Sequence, residues 1–241
     1  RGEGCLAEPK HGWRESLTVD IATGKPDFHV IYPTSTRLPI LMAAVTGVFF
    51  LSLLLKFYWT VPIAVIGVAA LAWRWAWTLG RKEDLPPQPI GHDVKLPNQT
   101  GVDRSPSWWG SVFLLTANAT FFGSLLFGFA FLWTVAPGWP PPAWFAASPV
   151  ELALGLAGVV AVGIAAGAIV LRAPAPDTHA YGATLLVLGG YALFHAALAA
   201  LMVAFLSARV ARGFTSPVRR AEFPVVNLWI DYLAVISALV L

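Results

Sequence analysis

The residues of this chain that could do chemistry are the few polar groups lying inside long apolar runs. His195 lies deep in one run. Asp231 lies several residues into another, "NLWIDYLAVI", and Asn118 sits in "LLTANATFFGSLLFGFAFLW" with Thr116 and Thr120 on either side. A heme, copper or other redox centre needs several such ligands converging. The remaining histidines do not supply them: His179 stands at a helix start, and His11, His29 and His92 are in polar segments. No HxxH, HExxH or CxxC spacing occurs, and Cys5 is the one cysteine, which excludes an internal disulfide framework and a thiolate metal site. No metal or heme is therefore expected to be held by this chain. A proton or ion path would use ionisable groups within the spans, which are costly there and point to function by default. Lys56 and Arg74 lie near run ends and can snorkel to the headgroups. Glu151 opens a run just after Pro149, where a carboxylate complements the helix dipole. Asp231 either has a partner, Tyr232 or a neighbouring helix, or lies close enough to the interface to be hydrated.

These groups are positioned by helices that composition places in a membrane. The 241 residues are 57% hydrophobic and 12% charged, about half the charge of a soluble domain. Eleven tryptophans suit rings anchored at bilayer interfaces. Six apolar runs, near 38–57, 60–79, 108–135, 149–172, 179–208 and 224–241, each approach the ~20 residues that a spanning helix needs. The expected fold is an all-α polytopic membrane protein. A polar, extended N-terminal tail or linker (1–37), with at most one short strand, precedes a transmembrane hairpin (38–79). A proline- and charge-rich loop (80–107) follows, then a larger helical bundle (108–241). The loop, best seen in "RKEDLPPQPIGHDVKLPNQTGVDRSP" (81–106), is the strongest candidate for a domain boundary. Trp59, Arg74, Trp108, Trp109 and Trp139 are expected at interfaces or against lipid. Gly163 with Gly167, and Ser124 with Gly128, are small-xxx-small steps that allow close helix approach.

The first apolar run begins near Leu38 after a charged tail, with no small-residue cleavage site behind it, so no signal peptide is expected. A start that is neither Met nor a signal suggests an incomplete beginning or the tail of something longer. Lysine and arginine favour the cytoplasmic side. The tail and the 81–106 loop carry nine, while 136–149 carries none, which places the N-terminus in the cytoplasm. Six alternating spans would then put the arginine-rich 209–220 segment outside, against the same rule.

Taken in order, several stretches resemble subunit III of heme–copper cytochrome c oxidases, most closely the III-like part of fused bacterial subunit I+III chains. "SWWGSVFLLTANATFFGSLLFGFAFLWTV" followed by "PGWPPP" is similar to the third helix and its loop. "LGGYALFHAALAALMVAFLSARVARGFTS" resembles the penultimate helix, and "NLWIDYLAVISALVL" the last. "RESLTVDIATGKPDFHVIYPTSTRLPILMAAVTGVFFLSLL" resembles the linker and first hairpin of the fused chains. The resemblance implies a non-catalytic, multi-pass component of the bacterial inner membrane. Its partners would be subunit I, or the fused subunit I part, and subunit II, with cytochrome c as electron donor to the complex. Heme and copper would reside in those partners, phospholipid would be bound, and nucleic acid would have no role. Three departures stand out. Asn118 occupies the place of the family's carboxylate, Leu198 that of a second histidine after His195, and six spans are counted where seven are common; a helix missing from the count would reverse the sidedness of 209–220. Asparagine cannot exchange protons near neutral pH, so an interhelical hydrogen bond is the preferred reading of Asn118 over a remnant proton-collecting site. A transporter, or a scaffold of another respiratory complex, is the alternative.

Overall fold

The computed structural model describes residues 14–32, 35–80, 82, 84–91, 93–136, 139, 159–172 and 180–240. Cys5, His11, His92, Glu151, His179 and nearly all of the 136–149 segment lie outside the described residues. The chain divides into two compact units, Arg1–Gln99 and Thr100–Leu241.

The first unit departs from an all-α reading. The expected extended tail is an antiparallel hairpin of β1 (Glu15–Val19) and β2 (Pro26–Ile31). Its register slips between Leu17 and Val19. There the Thr18 hydroxyl donates to the Phe28 carbonyl (2.8 Å) and accepts from the Phe28 N–H (3.2 Å), replacing the lost ladder bonds. Asp20 closes the turn by accepting from the Ala22 and Thr23 N–H groups, which hold its carboxyl below the usual range. Between them Gly24 takes φ +66°, which its missing Cβ permits. The long loop holds a second hairpin, β3 (Gln88–Gly91) with β4 (Val94–Leu96), hidden in the sequence by its prolines.

The two hairpins join. The His29 N–H donates to the Pro97 carbonyl (2.9 Å), and His29 bridges Asn98 in parallel. The Gln99 carboxamide then pairs with the Ile31 backbone in both directions, accepting from its N–H (3.0 Å) and donating to its carbonyl (2.9 Å). Phe28, Val30, Ile31 and Leu96 are buried in this small module, and the buried His29 donates Nε2–H to Glu15 Oε2 (3.2 Å). Chain before and after the helical hairpin of residues 38–78 therefore meets on one side of it. Gln99→Ala removes both bonds at once. It is expected to raise amide exchange at Ile31 about tenfold, the loss of roughly one net hydrogen bond, with little change in the helices; hydrogen exchange read residue by residue checks this.

The hairpin itself is α1 (Leu38–Leu54) and α2 (Val61–Thr78). Pro39 and Pro62 occupy first-turn positions, where a missing N–H is harmless. α1 ends in a Schellman-type cap. Lys56 adopts φ +60°, its N–H bonds the Leu53 carbonyl, and Phe57 bonds back to Ser52. The helices touch through small residues. Ala64 and Ser52 are buried, and a methyl added to Gly67 would lie 3.1 Å from Val45 Cγ1. The other faces are apolar and exposed, including Ile40, Leu54 and Ile66.

The second unit contains α3 (Pro106–Val135), α4 (Val159–Arg172), α5 (Ala180–Ala211) and α6 (Glu222–Val240). Ser105 caps α3 by accepting the Trp108 N–H, with Pro106 behind it. α5 is central. Its buried residues Tyr181, Leu188, Ala192, Ala196 and Ala199 recur every three, four or seven positions, with His195 beside them, the period of a packed stripe. Phe122, Leu188, Ala196, Ala199, Leu233 and Ile236 form one core cluster across α3, α5 and α6.

Chain direction follows from three levels of contact. Thr100, just before α3, accepts the Arg220 and Ala221 N–H groups. Phe122 stacks on Tyr191, and Phe129 lies 6.4 Å from Tyr181. α5 thus runs antiparallel to α3, and the arginine-rich 209–220 segment lies at the end where α3 starts, beside Asp103 and Arg104. That corrects the alternation expected from six spans. Gly101 permits the approach, since a Cβ there would stand 2.8 Å from the Val218 carbonyl oxygen. Among the described residues, four helical stretches are long and apolar enough to cross a membrane: Tyr58–Thr78, Pro106–Val135, Ala180–Ala211 and Glu222–Val240. α1 is a shorter apolar helix. Mostly helical and apolar in this way, the chain is a membrane-embedded protein.

Candidate functional site

The polar groups inside the bundle converge on Tyr191, a residue that the sequence reading passed over. Its hydroxyl lies 2.7 Å from the Tyr232 hydroxyl and donates to the backbone carbonyl of Asn118 at 3.1 Å. A phenol has one proton. With Tyr191's committed to the carbonyl, Tyr232 must donate to Tyr191. The order is Tyr232 to Tyr191 to Asn118, linking α6, α5 and α3 at one depth.

His195 sits one turn along α5 and is almost fully buried, at 3% exposure. Its Nδ1 lies 2.9 Å from the Tyr191 carbonyl. A carbonyl only accepts, so Nδ1 carries a proton. The ring is enclosed by Tyr191 (4.2 Å between centroids), Phe194, Tyr232 and Trp229. The sequence signal for the pair was available: a tyrosine four residues before a histidine shares its helix face.

The Asn118 carboxamide does something other than expected. Its nitrogen donates to the Leu114 carbonyl (2.9 Å) in its own helix, as the Thr116, Thr120 and Ser124 hydroxyls do to carbonyls four residues back. The interhelical bond at this position belongs to the backbone, and any residue could make it. The chemistry available is accordingly cohesive. The hydroxyl chain ends on a peptide oxygen, which does not take up a proton, so it orders three helices without offering a through route.

Tyr191→Phe is therefore expected to destabilise the bundle by about 1–2 kcal/mol, because it removes one donor and strands the Tyr232 hydroxyl. Tyr232→Phe costs less, since Tyr191 keeps its bond to Asn118. Asn118→Leu costs under about 0.5 kcal/mol. Unfolding midpoints of the three variants in one detergent test the order.

Asp231 is not part of this cluster. It is exposed on α6, and the expected partner Tyr232 faces inward to Tyr191. Gly163 and Gly167 do face α5, where an added methyl would lie 3.6 Å from Ala196 Cβ and 4.0 Å from Leu193 Cδ1. The Ser124–Gly128 step differs: Ser124 is exposed, and among the described residues nothing lies within 4 Å of a Gly128 methyl. Trp59 (73% exposed) and Trp109 are open, and Arg74 is exposed one turn from the end of α2. Trp108 is half-buried under the Arg104 guanidinium, 5.8 Å from its ring. Trp139 differs from the expected interface anchor. It is buried edge-on against Tyr181 (4.9 Å) and Phe129 (5.5 Å).

A second polar site lies at the α5–α6 turn. Arg209, buried, meets Glu222 through two contacts, Nε to Oε2 at 2.9 Å and an Nη to Oε1 at 2.7 Å, and stacks over Phe214. Arg219, buried too, donates to the Gly213 and Phe214 carbonyls. Arg220 pairs with Asp103 in the open. These arginines, read from sequence as topology markers, fasten the turn. Among the described residues no three His, Cys, Asp or Glu side chains converge as a metal site would require. The chain matches no protein-family model and no curated protein.

Proposed function

We propose that the chain is a subunit III-type component of a proton-pumping aerobic cytochrome c oxidase, either separate or the III-like part of a fused subunit I+III polypeptide. In this role it has no redox centre of its own. It packs against subunit I, holds phospholipid, and sustains proton uptake and turnover in a bacterial inner membrane. Heme and copper reside in subunit I and subunit II, and cytochrome c delivers the electrons.

The observation that carries the reading is the ordered resemblance of four stretches, now joined by a topological one. The hairpin leaves and returns to one side, because residues 29–31 meet residues 97–99. α3 then leaves the end marked by Thr100, and α5 comes back to it. The connection between α3 and α5 thus holds an even number of crossings. α4 is one helix of that connection, and the proposed seven-span pattern calls for a second. An odd total also sets the arginines of 209–220 beside Arg104, as the positive-inside rule prefers. The unprotonatable Asn118 and the closed hydroxyl chain fit a supporting subunit better than a proton carrier.

The test is copurification. A tag on this chain is expected to bring down a heme-bearing subunit in stoichiometric amount, while the chain expressed alone shows no Soret band. A stoichiometric Soret band from the chain alone overturns the assignment.

A further inference from the structure

Asp231 poses a problem that the described residues of this chain do not solve. It follows Glu222, the first residue of α6, by nine positions, or about 14 Å of helix rise. The hydrocarbon core is about 30 Å thick, and we place one edge of it at the charged turn of Arg209, Arg219 and Glu222, since paired charges are costly deeper in lipid. The carboxyl group is therefore close to mid-membrane, and its short side chain cannot reach either surface. It is exposed, and among the described residues no hydrogen bond or ion pair engages it.

Its surroundings on the helix are specific. Asn227, Asp231, Ala234 and Ala238 are all exposed, at spacings of four, three and four, which is the seam of a left-handed helix pair. Val226, Trp229, Leu233 and Ile236 are buried in the bundle, so the seam looks away from it. The two alanines allow a backbone to approach, and the carboxyl and carboxamide provide polar attachment, the combination that associates helices in lipid. A lipid tail could meet the alanines but not the acid.

We propose that the Asn227–Asp231–Ala234–Ala238 seam of α6 docks a transmembrane helix of another polypeptide, one that presents a cationic side chain at mid-membrane depth opposite Asp231. Charge complementarity selects the occupant. A second copy in a symmetric pairing would bring Asp231 against Asp231, and intramembrane acids pair with cations or lie in water-filled cavities. The inference rests on α6 crossing the membrane and is independent of the oxidase assignment.

The experiment uses the full chain in its native membranes. A photoreactive p-benzoylphenylalanine replaces Ala234, and in a control Phe127 of α3, and adducts are mapped by mass spectrometry. The expected adduct from position 234 falls on another protein's apolar segment, within one helical turn of a lysine, arginine or histidine. Asp231→Lys is expected to lower recovery of that protein with the chain at least tenfold, and exchanging the partner's cation for aspartate is expected to restore it. Asp231→Leu separates docking from folding, since it should lose the partner while leaving helical content and detergent unfolding of the isolated chain unchanged. Adducts only to lipid, to residues 140–158 of the same chain or to a second copy overturn the proposal. So does full partner recovery with Asp231→Lys. If a partner is mapped here but no heme-bearing subunit copurifies with the chain, the oxidase reading fails and this one stands.

Discussion

Glu222→Leu is expected to destabilise the Thr100–Leu241 unit by about 2 kcal/mol, and Glu222→Gln by about half of that. The physical reason is asymmetric. Arg209 is 3% exposed in its side chain and Glu222 38%. Removing the carboxylate leaves a buried guanidinium without its bidentate partner, a loss of about 3–5 kcal/mol where both groups are fully buried. Water reaches Glu222, and Arg209 keeps its stacking on Phe214 and Phe205, so the expected loss is smaller. The pair also sits at two helix ends of opposite polarity, the cation in the last turn of α5 and the anion in the first turn of α6, and each complements its own helix dipole. The reverse change, Arg209→Met, leaves a half-hydrated carboxylate and costs less. Denaturant titration of the three variants in one detergent, followed by circular dichroism, is the check; equal losses for Glu222→Leu and Arg209→Met would contradict the asymmetry.

Leu233→Ala is the second large effect expected, at about 1–3 kcal/mol. Leu233 is 2% exposed and belongs to the cluster of Phe122, Leu188, Ala196, Ala199 and Ile236. In a soluble core such a truncation costs roughly 2–5 kcal/mol, part of it transfer free energy and part the cavity left behind. Within a bilayer lipid is as apolar as leucine, so the transfer part shrinks and lost packing remains. Val235→Ala on the same helix, 58% exposed, serves as control and is expected to change stability by under about 0.5 kcal/mol. A similar loss at both positions would place the core elsewhere.

How much of this could be read from the residues depended on the range of the interaction. The apolar runs were visible because crossing lipid demands local content, and α1, α2, α3, α5 and α6 fall on them within a few residues. The strands were largely missed. "ESLTV" and "PDFHVI" alternate, but they find their third partner across the whole membrane hairpin, at residues 97–99, and no local window holds both. Counting crossings left the side of 209–220 in conflict with its arginines, because each later segment depends on every crossing before it, whereas the Thr100 contacts place that segment beside the start of α3 directly. At the candidate site Asn118 and His195 were found by type. Tyr191, which joins them, was overlooked because tyrosine reads as an interface residue. Trp139 was misplaced for the same reason, its ring being turned inward onto Tyr181. Gly163 and Gly167 were legible because close approach leaves a spacing signature. The Ser124–Gly128 step carries that signature with no neighbour at Gly128 among the described residues.

The clasp formed by residues 28–31 and 97–99 has a meaning for synthesis as well as for architecture. During elongation the first strands are complete long before their partner exists, and they must wait on their side of the bilayer while α1 and α2 insert. Only a chain whose second helix has come back can deliver Gln99 to Ile31. A hairpin that failed to return would leave Phe28, Val30 and Ile31 uncovered on one face and Leu96 stranded on the other. Closure of this small β module thus requires only that the chain after α2 come back to the side on which β1 and β2 lie.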